Sequence, residues 1–435
     1  MQTRATSVIF QPGRVDRAMA PRGVRISRCK NLLSDKQLER KLDGVHLHGE
    51  VTQSRLARDW TAKISASAKR GSWQEACWLL SAMQAQVAAN VFSCSAAINA
   101  CNKGRQWQRA LDLFWAMPEV DVVSYNASIT ACEKGSQWQK PLELLAAMPQ
   151  AKLRPSIISF SAAISACEKN GQWQEALQLF GSMPKVKLQP DTINYNAAIS
   201  ACEKAGQWQN ALSLFHAMPR AQVVSNEISY NAAISSCEKS GQWQKALDLF
   251  GGMPRTEFQP SMVSYSATLS ACEKAGQWQK ALCLFQSMHQ AKIRPDTIGY
   301  NAAITACVKG GQWQKALDLF AAMPQARVFP SMISFSAAIS ACEKAGLWQK
   351  ALDLLGGLPQ NCKPSTVIYN ATISACEKGR QWQEALDLFG AMLWAKLQPD
   401  AASYNCLLDA IHQRAAGAEH FGQALTADLF PSVAS

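Results

Sequence analysis

From about residue 57 to residue 400 the chain repeats one arrangement of apolar and polar positions, shown in full by TIGYNAAITACVKGGQWQKALDLFAAMPQARVFPS (297–331). Tyr300, Ala303, Ile304 and Cys307 stand at i, i+3, i+4 and i+7, the spacing that lines one face of an α-helix. Gly310 and Gly311 are expected to end that helix. Trp313, Leu317, Phe320 and Met323 form a second stripe, with Ala316 small enough for close helix contact. Pro324 is expected to follow this second helix, and Pro330 to break the chain before the next unit. Two short amphipathic helices cannot bury their stripes alone. Stacked on their neighbours they can, so the pattern predicts a one-dimensional array with a continuous core.

The period follows from the recurring Trp-Gln. Trp73, Trp107, Trp138, Trp173, Trp208, Trp243, Trp278, Trp313, Trp348 and Trp382 share one repeat position. The units are 57–90, 91–121, 122–156, 157–191, 192–226, 227–261, 262–296, 297–331, 332–365 and 366–400, followed by a degenerate capping repeat and tail over 401–435. In the unit 122–156, Pro141 falls where the other nine carry Ala, three residues after the Trp. A late start of that helix would accommodate it.

Composition changes this picture in three places. Fifteen cysteines raise the question of a disulfide scaffold, but Cys101, Cys132, Cys167, Cys202, Cys237, Cys272, Cys307, Cys342 and Cys376 recur once per unit on the apolar stripe, and the chain has no CxxC pair. They read as small buried hydrophobes, which favours a reducing compartment. The net charge of +12 divides unevenly: residues 1–56 hold 11 Lys/Arg and 5 Asp/Glu, leaving a mildly basic body. Within that leader Arg4, Arg14, Arg17, Arg22, Arg25 and Arg28 face one acid, Asp16, up to residue 30. Arg-rich, acid-poor and without a continuous apolar core, it resembles a transit peptide, which implies a mitochondrion or chloroplast; the alternative is a basic tail in the cytoplasm or nucleus. No apolar run approaches the roughly 18 residues of a membrane span, so no membrane partner is expected.

The junctions between units carry a further motif: Gln-Pro-Asp-Thr-Ile-Asn-Tyr-Asn (189–196), Arg-Pro-Asp-Thr-Ile-Gly-Tyr-Asn (294–301) and Gln-Pro-Asp-Ala-Ala-Ser-Tyr-Asn (398–405). With the 35-residue period and the Ala-Leu-x-Leu-Phe-x-x-Met run, this resembles the pentatricopeptide repeat family over about 57–410. The resemblance implies an all-α, right-handed superhelical solenoid of about eleven helix-turn-helix repeats. Trp at the head of the second helix departs from the family's usual Leu or Val. The tetratricopeptide repeat, a 34-residue hairpin, is the rival; its signature puts Leu-Gly where these units carry Ala-Ile, and it lacks the Pro-Asp junction.

Two positions vary in every unit within a nearly fixed frame: the residue after the helix-one aromatic (after Cys94 in the second unit) and the last residue. In order the pairs are Thr61/Asn90, Ser95/Asp121, Asn126/Ser156, Ser161/Asp191, Asn196/Asn226, Asn231/Ser261, Ser266/Asp296, Asn301/Ser331, Ser336/Ser365 and Asn370/Asp400. All are short hydrogen-bonding side chains, a pattern that suits one-base-per-repeat recognition of single-stranded RNA. The other reading is that they cap the first helix. The resemblance assigns base reading to these pairs and base stacking to the residue three before the first member: Phe92, Val123, Ile158, Ile193, Ile228, Val263, Ile298, Ile333 and Val367.

Lysine recurs at the end of the first helix, as Lys69, Lys103, Lys134, Lys169, Lys204, Lys239, Lys274, Lys309, Lys344 and Lys378. Such a register is expected to form a phosphate-binding ladder. Glu precedes Lys in seven of these units and mutes the field.

By the family's pairing rules the ten pairs imply A-G-C-G-Y-C-G-C-N-U, read in parallel. The expected ligand is therefore single-stranded RNA of about ten nucleotides, with RNA-processing proteins as further partners and a monomeric chain. The expected role is in RNA processing, stability, editing or translation; the alternative is a helical-repeat scaffold for protein–protein interaction. No enzyme and no cofactor or metal is expected. His48-Gly49-Glu50 matches half of a zinc deaminase motif, but the paired cysteines that must follow are missing.

Overall fold

The computed structural model of the protein describes residues 50–253, 259–359 and 363–410. The proposed leader up to residue 49 and the tail beyond 410 lie outside the described residues. Among those described, the chain forms ten pairs of α-helices between Glu50 and Trp394, then a helical segment over 401–410, and no strand. No helix among them is long and apolar enough to cross a membrane. The chain divides into two compact units, Met1–Val224 and Ser225–Ser435, each holding five of the pairs.

Most first helices have 13 residues, as in Val122–Lys134 and Thr297–Lys309. The first of all, Glu50–Arg70, is longer at 21 residues and begins before the boundary expected at 57. The residue before 57 is Leu56, not the Asn, Asp or Ser that caps the other first helices, so no cap sets the start there. At the far end, Gly311 takes up φ +71° and lets Gln312 N–H return to the Cys307 carbonyl at 2.8 Å. Gly310 lets the neighbouring ring come close: a Cβ there would sit 2.1 Å from Trp278 of the preceding unit, and units with Ala, Ser or Asn at this position must hold their Trp further off.

Within each compact unit, successive first helices pack side by side, and each second helix wedges between its own first helix and the next. The expected core stripes are where the sequence puts them. Tyr300, Ala303, Ile304 and Cys307 are buried, as are Ala316, Leu317 and Met323, while Phe320 of the second stripe is half-buried against them. Edge-to-face pairs clasp one repeat to the next, with ring centroids 4.7 Å apart for Phe180–Tyr195 and 4.9 Å for Phe285–Tyr300. The once-per-unit cysteines, Cys101 to Cys376, are fully buried. Burial pushes the thiols of Cys132 and Cys167 up to about 12 and those of Cys272, Cys307 and Cys342 up to about 11.

Three expectations need adjusting. The repeated Trp is half-buried, not core, because it opens the second helix and lies over the turn of the following unit. Pro324 does not follow its helix; Trp313–Gln325 contains it in the last turn, where a proline costs a single backbone bond. Pro141 is accommodated by a late start: Gln139–Ala147 begins one residue after the Trp that opens the other second helices.

Candidate nucleic-acid interface

The residue that closes each unit is the N-cap of the next first helix. Asn90, Asp121, Ser156, Asp191, Asn226 and Ser331 accept an N–H from the third residue of that helix, and the third residue's side chain accepts the cap's own N–H. Asp296 accepts from Gly299 N at 2.8 Å and Asp400 from Ser403 N at 2.9 Å. Ser261 donates its N–H to the Ser264 hydroxyl at 3.2 Å, and Ser365 makes no side-chain cap bond. The capping role of this position is therefore built in the folded chain.

The same residues meet the other variable position of the preceding first helix. Asn126 Nδ2 donates to Ser156 Oγ at 3.2 Å, Asn301 Nδ2 to Ser331 Oγ at 3.2 Å, and Asn370 Nδ2 to Asp400 Oδ1 at 2.9 Å. These bonds join positions 30 residues apart in sequence. Asn231 turns its amide toward Glu227, at 3.5 Å, while Thr61 donates to the Ala57 carbonyl at 2.7 Å. Ser161 donates to the Ile157 carbonyl and accepts from Asn194 Nδ2, both at 2.8 Å. The hydroxyls of Ser95 and Ser266 are buried without a hydrogen-bond partner. Asn196 and Ser336 are half-buried at the same repeat position. Asp400 is the most polarised member: the Ser403 N–H, then its hydroxyl and the Asn370 amide, hold the carboxyl below the usual carboxylate range.

Within each compact unit a row of apolar side chains that the fold leaves uncovered runs beside these pairs. Phe92, Val123, Ile158, Ile193, Ile228, Val263, Ile298, Ile333 and Val367 are each 57–75% exposed. Each lies at the second position of its helix, about 4.5 Å of helical rise below the first polar member of its pair. Exposed Ile and Val in such a register bury nothing in the fold, whereas the Ile six residues on in the same helix, such as Ile129 or Ile304, is in the core.

The lysine ladder has a different setting from the one expected. Lys169, Lys204, Lys274, Lys309 and Lys378 each pair with a glutamate of the preceding unit, respectively Glu133, Glu168, Glu238, Glu273 and Glu343, at 2.8–3.0 Å. Lys103 and Lys344 donate to the carbonyls of Lys69 and Val308, the latter standing where other units have Glu. Lys134 and Lys239 are exposed at the same repeat position. The ladder stands at the C-terminal end of the first helices, about 12 Å of helical rise from the polar pairs. Its charge is largely spent between repeats.

One set of residues escaped the sequence reading. The third residue of the first helices is fully buried although polar: Ser93, Ser124, Ser159, Asn194, Ser229, Ser264, Ser334 and Ser403. The available signal was its recurrence as Ser or Asn beside the aromatic that anchors each first helix.

Stacked helical hairpins with a polar pair in every repeat and an exposed apolar side chain in nine of the ten define a modular helical-repeat protein. The chain belongs to the pentatricopeptide repeat family. The profile described as the pentacotripeptide-repeat region of PRORP matches residues 148–317, and the PPR repeat family profile matches 295–344 and 364–413. The pentatricopeptide repeat domain profile matches 118–170, and the PPR repeat profile 92–122 and 333–361. Among solved structures the chain is similar to the pentatricopeptide repeat protein PPR10 from maize, at 18% identity and a TM-score of 0.48, over 91% of this chain and 69% of that one. It is also similar to PPR10 in complex with an 18-nt psaJ RNA element, at 20% identity and a TM-score of 0.46, over 88% of this chain and 61% of that one. A third likeness, to the PPR domain of Arabidopsis thaliana protein-only RNase P 1 in complex with tRNA, has 20% identity and a TM-score of 0.37, over 43% of this chain and 95% of that domain. Among curated proteins there is no match.

Proposed function

We propose that the chain is a sequence-selective single-stranded RNA-binding protein, in which each repeat takes one base and no repeat does chemistry. The observation that carries this reading is the exposed row from Phe92 to Val367 running beside the polar pairs. A base has an apolar face and a polar edge, and each of the nine repeats from 91 to 400 offers an uncovered apolar side chain next to one or two hydrogen-bonding groups. Membership of the pentatricopeptide repeat family supports the same reading. With the lysines paired, affinity comes mainly from stacking and base-edge bonds, and salt dependence is weaker than a free ladder would give. The role proposed is occupation of a site on an organelle transcript, in its processing, stability, editing or translation. The organelle assignment is supported by the Arg-rich leader.

The test is selection of the full chain against a random single-stranded RNA pool. The expected product contains C-G-Y-C-G-C, contributed by the units from 122 to 331. Failure to enrich any motif at moderate salt overturns the proposal and leaves the protein-interaction scaffold as the reading to pursue.

A further inference from the structure

The buried hydroxyl at the third position of a first helix has one proton to give, and it goes to one of two places. After four of the five asparagines the proton reaches across the repeat boundary: Ser159 donates to Asn126 Oδ1 at 2.5 Å, Ser264 to Asn231 Oδ1 at 2.7 Å, Ser334 to Asn301 Oδ1 at 2.6 Å and Ser403 to Asn370 Oδ1 at 2.6 Å, with Asp400 Oδ1 a second acceptor for Ser403 at 2.9 Å. Ser229, after Asn196, has its own cap Asn226 Oδ1 as an acceptor at 3.0 Å. Where the unit before carries Thr61 or Ser95, it turns back: Ser93 donates to the Asn90 carbonyl at 2.8 Å and Ser124 to the Asp121 carbonyl at 2.9 Å.

A proton count at Asn301 shows what this does. Its Oδ1 has no proton, so the bond to Ser334 uses the Ser334 proton. Ser334 Oγ in turn accepts the Ser331 N–H at 2.9 Å, and the Ser331 hydroxyl, 3.1 Å away, must then be the donor of that contact. Ser331 Oγ receives one hydrogen of Asn301 Nδ2 at 3.2 Å. Both hydroxyl protons are consumed inside the cluster, and the amide is held with its carbonyl inward. The one donor left for a ligand is the second N–H of Asn301. Around Asn370 the orientation is the same, but the cap is Asp400, whose second oxygen adds an acceptor.

We infer that Ser159, Ser264, Ser334 and Ser403, each the third residue of its first helix, are positioning residues for base selection by the unit before, because the buried donor fixes which end of that unit's asparagine amide faces the RNA. The inference rests on the RNA-binding reading above. Units lacking such a donor select by other means: Gly299 follows Ser266, whose hydroxyl is unpartnered, and Ile368 follows Ser336.

Two substitutions separate this role from simple helix capping, and both have precedents at the same repeat position. Ser334→Gly removes the donor, as Gly299 does naturally while Asp296 still caps its helix. Ser334→Asn keeps a donor, as Asn194 does toward Ser161. The full-length wild type and both variants are selected against the random RNA pool, with Ser159→Gly, the same change after Asn126, as an independent copy should the Ser334→Gly chain fail to fold. The wild type and Ser334→Asn are expected to enrich the same base opposite unit 297–331. In Ser334→Gly the preference at that nucleotide alone should fall by about five-fold, the scale of one hydrogen bond. A wild type that enriches no motif overturns the RNA reading and this inference with it. A clear wild-type motif that both glycine variants reproduce, or that Ser334→Asn loses as Ser334→Gly does, overturns this inference alone.

Discussion

Ile304→Ala is the sharpest probe of whether the array couples only neighbouring repeats. Ile304 is fully buried and packs in a cluster that includes Leu269, Ile339 and Cys307, drawn from three successive first helices. The change removes about three methylene equivalents at about 0.8 kcal/mol each, plus a cavity term, and should cost about 3 kcal/mol. In a stacked array this loss raises local opening by about two orders of magnitude, centred on units 262–296, 297–331 and 332–365.

The chain carries its own reporters for that opening. Cys272, Cys307 and Cys342 are fully buried, and burial pushes their thiols up to about 11. At pH 8 such a thiol is about 0.1% thiolate even before access is considered, so alkylation waits for opening. Cys283 is exposed and marks full reactivity in every sample. Mass spectrometry of alkylated peptides should show Cys307 accelerated most, Cys272 and Cys342 next, and Cys132 and Cys167 unchanged within about two-fold, since coupling decays beyond nearest neighbours. An equal acceleration at all of these positions would refute nearest-neighbour coupling and mean that the chain unfolds as one body.

Two further predictions follow from the ladder and the turns. Replacing Glu168, Glu238 and Glu273 with Gln frees Lys204, Lys274 and Lys309, and should cost under about 1 kcal/mol per pair because the lysines are partly exposed. If those lysines come near phosphates, the log K versus log salt slope for RNA should steepen by up to about 2; an unchanged slope removes the ladder from the interface. Arg105 stands at φ +55° where seven of the ten units have glycine, and Arg105→Gly should stabilise the second hairpin by about 0.5–1 kcal/mol, read as slower alkylation of Cys101. Faster alkylation would mean that the arginine side chain makes contacts worth more than its backbone strain.

The fold was legible because every unit states its two stripes in full. Tyr300, Ala303, Ile304 and Cys307 could be assigned to one face from spacing alone, and the structure buries all of them. Trp313 was misjudged because periodicity gives the phase of a residue around its helix but not its height. A residue at the first position of the second helix reaches past the core onto the next turn, so large apolar mass there is half-buried. Pro324 shows the complementary error, since composition marks a helix end only to within a turn.

The site was legible as positions and illegible as bonds. Each variable pair could be picked out as short polar residues in a fixed frame, and for Asn126, Asn301 and Asn370 the structure joins the two members directly. What spacing could not give was which repeat supplies a partner. Glu133 precedes Lys134 in sequence, yet it pairs with Lys169, 36 residues on. Adjacent charges on one helix point about 100° apart, whereas equivalent ends of stacked helices lie side by side. The same geometry hid Ser334: within its own helix it is an ordinary capping-box residue, and only the neighbouring repeat turns its proton toward Asn301. In a stacked array the unit of chemistry is therefore the junction, and the pairs of Asn126, Asn301 and Asn370 divide their donors and acceptors across three residues from two repeats.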